Sequence, residues 1–434
     1  SLVIAVPPLA GRHTADNLRA QIDDVIKKYD LDVAAVMTDS ASNIRKAVEG
    51  LGIFNPRCAA HQLHLAVTGS MAKWSHSSEL TKIKDFARKL NKSSTMRMQY
   101  FQYCKQYGLD HVGVPQSVET RWGSLFHTVK MALQQWPAMN ATLKANGKPA
   151  LSAESRLMLT QLSTLLHPFD EFTKKMCSES CLLTEVPFIF SEIIYNLEQF
   201  IEDETGPCKS LAELLHAQMK KRIVYYLESA EMKKLLFFDP RAVENFDCDW
   251  KAIGTELLSS AAPSNAPTTT VHNPYKFLQK KKKADNNTPI TDEIDKYIYE
   301  CSRGTSMTMN PLQYWNSHAG SFYPIIKELA LKSLPIPATS VSAERVFSAA
   351  GLLDKQRLWN NLSPETMESC LLLRLNYIGD RAREISYAPP PILVPQSEVI
   401  INVDPSTTTP LDVTYGYQSD ESEFEEDCSD DEEE

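Results

Sequence analysis

Apolar positions recur along most of this chain with the 3.6-residue period of an amphipathic helix. Thr14 is placed to cap a helix whose Ala15, Leu18, Ile22, Val25, Ile26 and Tyr29 share one face, with Asp16 at the favourable end of the helix dipole. Between residues 125 and 262 the same period is clearest over Leu157–Phe172, Val186–Ile201, Leu211–Leu227 and Met232–Phe238. A further helix is expected after Ser363 and Pro364, the first a cap and the second suited to a first turn. Its Met367, Leu371, Leu375 and Ile378 form one stripe, and Leu372 and Leu373 fall outside it, so two neighbours are needed to cover it. Two stretches break the period. Ser1–Val6 is a β-branched run closed by Pro7-Pro8, and Val33–Met37 is a continuous apolar run of strand length. Both predict strands, the second buried on both faces. Strand, helix, strand and then an acid is the pattern of an α/β core.

Composition narrows the class. The 434 residues, 43% of them hydrophobic, provide for two or three packed units. No apolar run approaches the ~18–20 residues of a membrane span. Ser1–Val6 has no basic flank and does not resemble a signal peptide; it suggests a chain entered midway. Nine scattered cysteines, an odd number, point to a reducing compartment. The net charge of −10 belongs to one segment: Asp420–Glu434 holds eleven acidic residues and no basic one, and the remainder is close to neutral.

Several words carry candidate chemistry. Asp39 ends the Val33–Met37 run within Thr38-Asp39-Ser40-Ala41-Ser42-Asn43, where it serves either as a helix cap or as a metal-binding carboxylate. Arg57-Cys58-Ala59-Ala60-His61-Gln62-Leu63-His64 lacks the second Cys/His pair of a zinc finger, so His61 and His64 read as a buried pair or as part of a site. Arg121-Trp122 is either an arginine beside a core tryptophan or a phosphate clamp with a base-stacking ring. Lys280, Lys281, Lys282 and Lys283 lie in a Ser/Pro/Thr/Asn-rich stretch expected to be disordered; they suit DNA backbone, a nuclear import receptor or plain solvation. Glu344 flanks a helix expected to begin at Thr339 or Ser340 and to end near Gly351, its apolar face made of Ala343, Val346, Phe347 and Ala350.

The words Ser342-Ala343-Glu344-Arg345-Val346-Phe347-Ser348, Pro311-Leu312-Gln313-Tyr314-Trp315 and Leu358-Trp359-Asn360-Asn361-Leu362-Ser363-Pro364-Glu365 together resemble the C-terminal segment of hAT-superfamily DNA transposases and of the host proteins derived from them, many of which carry a BED zinc finger. The resemblance covers the chain to about Arg381. It implies an RNase H-like α/β core interrupted by a large all-helical insertion. The expected organisation is a partial core lacking its first strand (1–124), the insertion (125–258), a lysine-containing loop (259–290), the end of the core with a dimerisation segment (291–385) and an acidic tail (386–434). In such proteins the positions of Asp39 and Glu344 hold the second and third carboxylates of a Mg²⁺-binding triad. His61, His64, Arg121 and Trp122 are the implied DNA contacts, to which the charge of Lys280–Lys283 adds four more candidates, and Leu371, Leu372, Leu373 and Leu375 are the implied dimer contacts. The first triad aspartate lies upstream of Ser1 in the family pattern. The resemblance therefore implies a nuclear protein that dimerises and binds DNA, without catalysis as the chain stands and with no membrane or small-molecule partner. A fragment of an active, metal-dependent transposase is the alternative.

Overall fold

The structure, a computed structural model, describes residues 3–7, 12–74, 77–110, 122–261, 289–304, 309–317, 322–354 and 362–387. Lys280–Lys283, Arg121 and the acidic tail lie outside the described residues. Residues 1–379 form one compact unit; of residues 380–434, only the helical residues 380–387 are described.

Among the described residues the regular elements are helices: eighteen α-helices and one short 3₁₀ turn, with no strand. The expected α/β, RNase H-like core is therefore corrected to a mostly helical architecture. Val33–Met37 pairs with the segment after the Ser42–Glu49 helix only through isolated parallel bridges, Ala35 to Phe54 and Thr38 to Arg57. One ladder bond, Val36 N–H to the Phe54 carbonyl at 2.9 Å, joins them. Two short segments so joined lack the further strands and shared apolar face that sustain a sheet. Val3–Val6 is not a strand either. Its backbone is held by side chains of the Pro364–Tyr387 helix: Asn376 bonds both the Val3 N–H and its carbonyl, and Glu368 accepts from the Val6 N–H. The neighbour of that helix is thus an extended strap rather than a sheet.

Helix boundaries follow local chemistry. The Thr14 hydroxyl accepts from the Asn17 N–H, and the Ser363 hydroxyl from the Thr366 N–H, as their positions predict. The four helices expected in the middle of the chain are Ala153–Met176, Val186–Asp203, Lys209–Glu228 and Ala230–Leu236. The helix carrying Glu344 runs Val341–Asp354 and passes through Gly351 without stopping.

Packing divides the apolar interior in two. One core gathers side chains from Ala59 to Leu235 and is closed by Ile336 and Ala338. It crosses residue 125, where the insertion was expected to begin. The second core lies between Leu236 and Leu334 around Phe237, Phe238, Tyr297, Tyr314 and Trp315. Tyr297 and Trp315 are fully buried, and their polar ends donate to the carbonyls of Phe237 and Phe238 at 2.9 and 2.7 Å. Each large ring thus contributes apolar burial without leaving a donor unpaired.

Candidate functional site

The Ala59–Lys73 helix is the element on which distant words meet. Its inner face is apolar and buried through Ala59, Leu63, Ala66 and Val67, which fixes the helix in the larger core. Its first turn is bonded from two directions. Buried Gln62 donates from Nε2 to the Ser40 hydroxyl at 3.0 Å, tying down the turn that follows Asp39. On the other side Pro335–Thr339 threads, extended, between this helix and the Cys181–Leu183 segment. Ala59 N–H donates to the Ala338 carbonyl at 3.0 Å, Ala338 N–H to the Cys181 carbonyl at 3.1 Å, and Leu183 N–H to the Ile336 carbonyl at 2.8 Å. Buried Cys58 accepts the Ser340 N–H at its Sγ, 3.4 Å away and 282 residues on in sequence. The two prolines at 335 and 337 suit this path, since proline has no N–H to lose there.

These bonds bring the turn after Asp39 and the start of the Glu344 helix to one end of one helix, beside His61 and His64. Asp39 and Glu344 are both exposed. The Asp39 carboxylate accepts from Ala41 N–H at 3.1 Å, so it shapes its own turn; it is not the residue that caps the following helix, whose N-cap is Ala41. The His61 and His64 rings stack with centroids 6.1 Å apart. Burial, and then the neighbouring His61, hold the His64 imidazole below its ordinary range, while Glu344 opposes both. Cys177 at the C-terminal end of the Ala153–Met176 helix borders the same end. Burial first, then Cys58 and Glu344, push its thiol up to about 11. Arg345 donates to the Cys177 carbonyl at 3.0 Å, anchoring the Glu344 helix from a second side.

A divalent metal does not fit what is described. Among the described residues no three His, Cys, Asp or Glu side chains are grouped closely enough to hold an ion, so Asp39 and Glu344 are not completed as a Mg²⁺ site and Cys58, His61 and His64 not as a zinc site.

Trp122 opens the Trp122–Gln134 helix and is only 8% exposed, its ring edge-on to Phe169 at 6.4 Å. It is a core side chain, and stacking an extruded base would require it to leave that packing. Of the implied dimer contacts Leu371 is buried, Leu372 and Leu375 half-buried, and Leu373 is 71% exposed.

Sequence reasoning missed Gln62 and Ser340 as fasteners, and Arg222, Tyr225 and Tyr226, which pack behind Arg57. The Tyr226 hydroxyl donates to the Arg57 carbonyl at 2.9 Å, and the Arg57 guanidinium lies 4.5 Å over the Tyr225 ring. Basic residues next to paired tyrosines in Lys220-Lys221-Arg222-Ile223-Val224-Tyr225-Tyr226 were the available signal.

Among the described residues no helix is long and apolar enough to cross a membrane. Two family models match separate segments: the ZBED1 RNase-like helical domain over residues 56–164, and the hAT family C-terminal dimerisation region over residues 293–377. The chain is similar to a putative AC transposase of Zea mays, 23% identical over 87% of this chain and 53% of that protein. It is 21% identical to zinc finger BED domain-containing protein 4 of Homo sapiens, over 80% of this chain and 31% of that protein. A putative transcriptional regulator of Talaromyces stipitatus is 22% identical over 86% of this chain and 49% of that protein. The chain thus spans between about a third and a half of the length of these relatives. The helical-domain match begins at the Arg57–His64 word and the dimerisation match contains Tyr314-Trp315 and Glu344, so both words that meet at the Ala59–Lys73 helix are family words. Together these matches support a hAT-family transposase or a protein derived from one.

Proposed function

We propose that this is a transposase-derived nuclear protein that self-associates through residues 293–377 and binds DNA along the face at the first turn of the Ala59–Lys73 helix, without cutting it. The observation that carries the reading is the fastening of Ser40 and Ser340 to that one turn through Gln62 and Cys58. It gathers Asp39, His61, His64 and Glu344 on one rim. Binding without cleavage is favoured by what the two carboxylates do: Asp39 is bonded within its own turn and Glu344 is set against His64.

Self-association is supported by apolar side chains left in water within residues 293–377. Tyr299, Phe322, Phe347 and Leu373 are 64–71% exposed there. Tyr299 and Phe322 also line an open cleft of about 670 Å³ with Lys296, Glu300, Arg303 and Tyr323. Exposed rings clustered in this way mark an interface more often than a solvent-facing surface.

The test joins light scattering with fluorescence anisotropy on labelled duplex and frayed-end DNA at low salt. A dimer or larger species that binds DNA is expected. A monomer at every concentration, or no binding, ends the respective half of the proposal. The putative transposase of Zea mays motivates the second reading, metal-dependent cleavage. Nicking by the purified chain with Mg²⁺ or Mn²⁺ would establish it in place of the first.

A further inference from the structure

The Lys209–Glu228 helix carries Arg222, Tyr225 and Tyr226 against residues 55–58, just behind the rim described above. Arg222 is held along its own helix by Gln218, through both the backbone carbonyl and the side-chain oxygen. The Arg57 guanidinium lies 4.5 Å over the Tyr225 ring, a cation–π contact that holds it on that side. What remains is a set of donors with nothing to donate to: the Nε of Arg57, the Nε of Arg222 and the Nδ2 of Asn55 are buried and bond no partner among the described residues. Nor does either arginine form an ion pair with a carboxylate there. Burial, and then the charge of Arg57, press the Arg222 guanidinium below its ordinary range, so Arg222 lies within reach of a like charge. Tyr225 also feels Arg45, on the helix that follows the Asp39 turn, and one acid, Glu231. Arg45 itself is paired with Glu49, at 3.9 Å.

Two half-buried guanidinium groups without a counter-charge form a costly arrangement, and unpaired buried donors are rare in folded proteins. Planar guanidinium forks match the oxygens of a phosphate better than any other side chain. We infer that Arg57 and Arg222, with Asn55 and Tyr225 as their frame, form a binding site for a phosphate oxyanion, and that its source is the phosphodiester backbone of DNA passing toward His61. This deepens the DNA-binding reading and rests on it. None of the site's residues is among Arg121, Trp122 and the four lysines expected as DNA contacts. It assigns the anchoring of the strand to the Lys209–Glu228 helix and the Asn55–Cys58 segment.

The test compares the full chain with Arg222→Gln, Arg222→Lys, Arg57→Gln and, as a charge-matched control, Lys144→Gln on the Trp136–Ala145 helix. Anisotropy with duplex DNA is read across a salt series, and melting is followed with and without inorganic pyrophosphate. Arg222→Gln and Arg57→Gln are each expected to weaken DNA binding roughly tenfold and to flatten the salt slope by about one. Arg222→Lys should keep most of the slope and lose affinity, because it keeps the charge and loses the fork. Lys144→Gln should leave affinity close to that of the parent chain. Arg222→Gln should melt at or above the parent temperature without ligand, since it removes a buried charge repelled by Arg57, and should no longer be stabilised by pyrophosphate. If the parent binds DNA and both Gln variants bind it equally well, the phosphate site is overturned and the DNA reading stands. If the parent binds no DNA, that reading fails, and pyrophosphate decides the site: stabilisation lost in Arg222→Gln retains it for a free phosphate, and no stabilisation of the parent removes it. A lower melting temperature for Arg222→Gln together with lost binding would mean a structural arginine, and would also overturn the inference.

Discussion

The Ala59–Lys73 and Val341–Asp354 helices are equally apolar on average, yet they are treated in opposite ways. The first buries Leu63, Ala66 and Val67 completely, and even Gln62 is drawn inside. The second leaves Ala343 exposed and Phe347 two-thirds exposed. Composition alone does not decide which helix becomes core; the number of neighbours does. The first helix is enclosed by the Ala153–Met176 and Lys209–Glu228 helices and by the Pro335–Thr339 strap, whereas the bonds that tie the second to other segments among the described residues, at Cys58 and Cys177, lie at its start. The apolar residues left over on the second lie inside the dimerisation region, where a second copy supplies the missing neighbour under the proposed function.

Truncations break the comparison most severely. Trp315→Ala, at the centre of the second core, should lower stability by about 3–5 kcal/mol, and Leu63→Ala in the first core by about 2–5 kcal/mol; urea titration followed by circular dichroism measures both. Trp315 lies in the dimerisation region as Phe347 does, so stability loss for Trp315→Ala with none for Phe347→Asp separates core from interface. A next-larger effect is expected on assembly. Phe347→Asp combined with Leu373→Asp should leave the helical spectrum intact and raise the dimer dissociation constant at least about tenfold, the consequence of placing charges in a buried apolar contact. Sedimentation reads this directly; an unchanged dimer would place the interface elsewhere.

Alkaline pH sharpens the contrast by a different route. Burial pushes the thiols of Cys181, Cys208 and Cys301 up to about 12 from an ordinary value of 9.0. A thiol whose pKa is raised on folding holds its proton longer in the native state, so its stabilising contribution is complete below pH 9 and is lost as pH climbs toward 12. Unfolding free energy should therefore fall across that window, and Cys208→Ala should reduce the slope. Cys208 is fully buried in the first core, so its native thiol should also resist alkylation at pH 8. The smallest expected effect is on His64. Its imidazole should titrate below the usual histidine range by NMR, and Glu344→Gln should lower it further by removing the one charge that favours protonation. An unchanged His64 in that variant would separate the two words that share the rim.

Sequence pattern located the helices well because caps and period are local. Thr14, Ser363 and Pro364 mark starts that the structure keeps. It misjudged the β-branched runs, since a strand exists only if another backbone lies alongside: Val3–Val6 meets Asn376 and Glu368 side chains, and the stretch from Val33 to Thr38 pairs through isolated bridges of Ala35 to Phe54 and Thr38 to Arg57. The site was legible as words and illegible as fasteners. Asp39, His61 and Glu344 stand in recognisable motifs, whereas Gln62, Ser340 and Arg222 acquire meaning only from contacts across the chain. Trp122 is the converse case, a motif residue whose ring the fold packs against Phe169 in the core.

The strap from Pro335 to Ser340 has a kinetic consequence. Until it is synthesised, Ala59 and Leu183 lack their backbone partners, and the slot for Ile336 and Ala338 stands open in the larger core. A contact such as Cys58 with Ser340 spans 282 residues, so closing it carries a large loop entropy and comes late. A nascent chain would therefore complete more than two hundred residues of helical structure before its rim could form. In refolding experiments this would give a slow last phase, seen by a probe at His61 and absent from the helical signal, with the incompletely closed intermediate as the species most prone to aggregate.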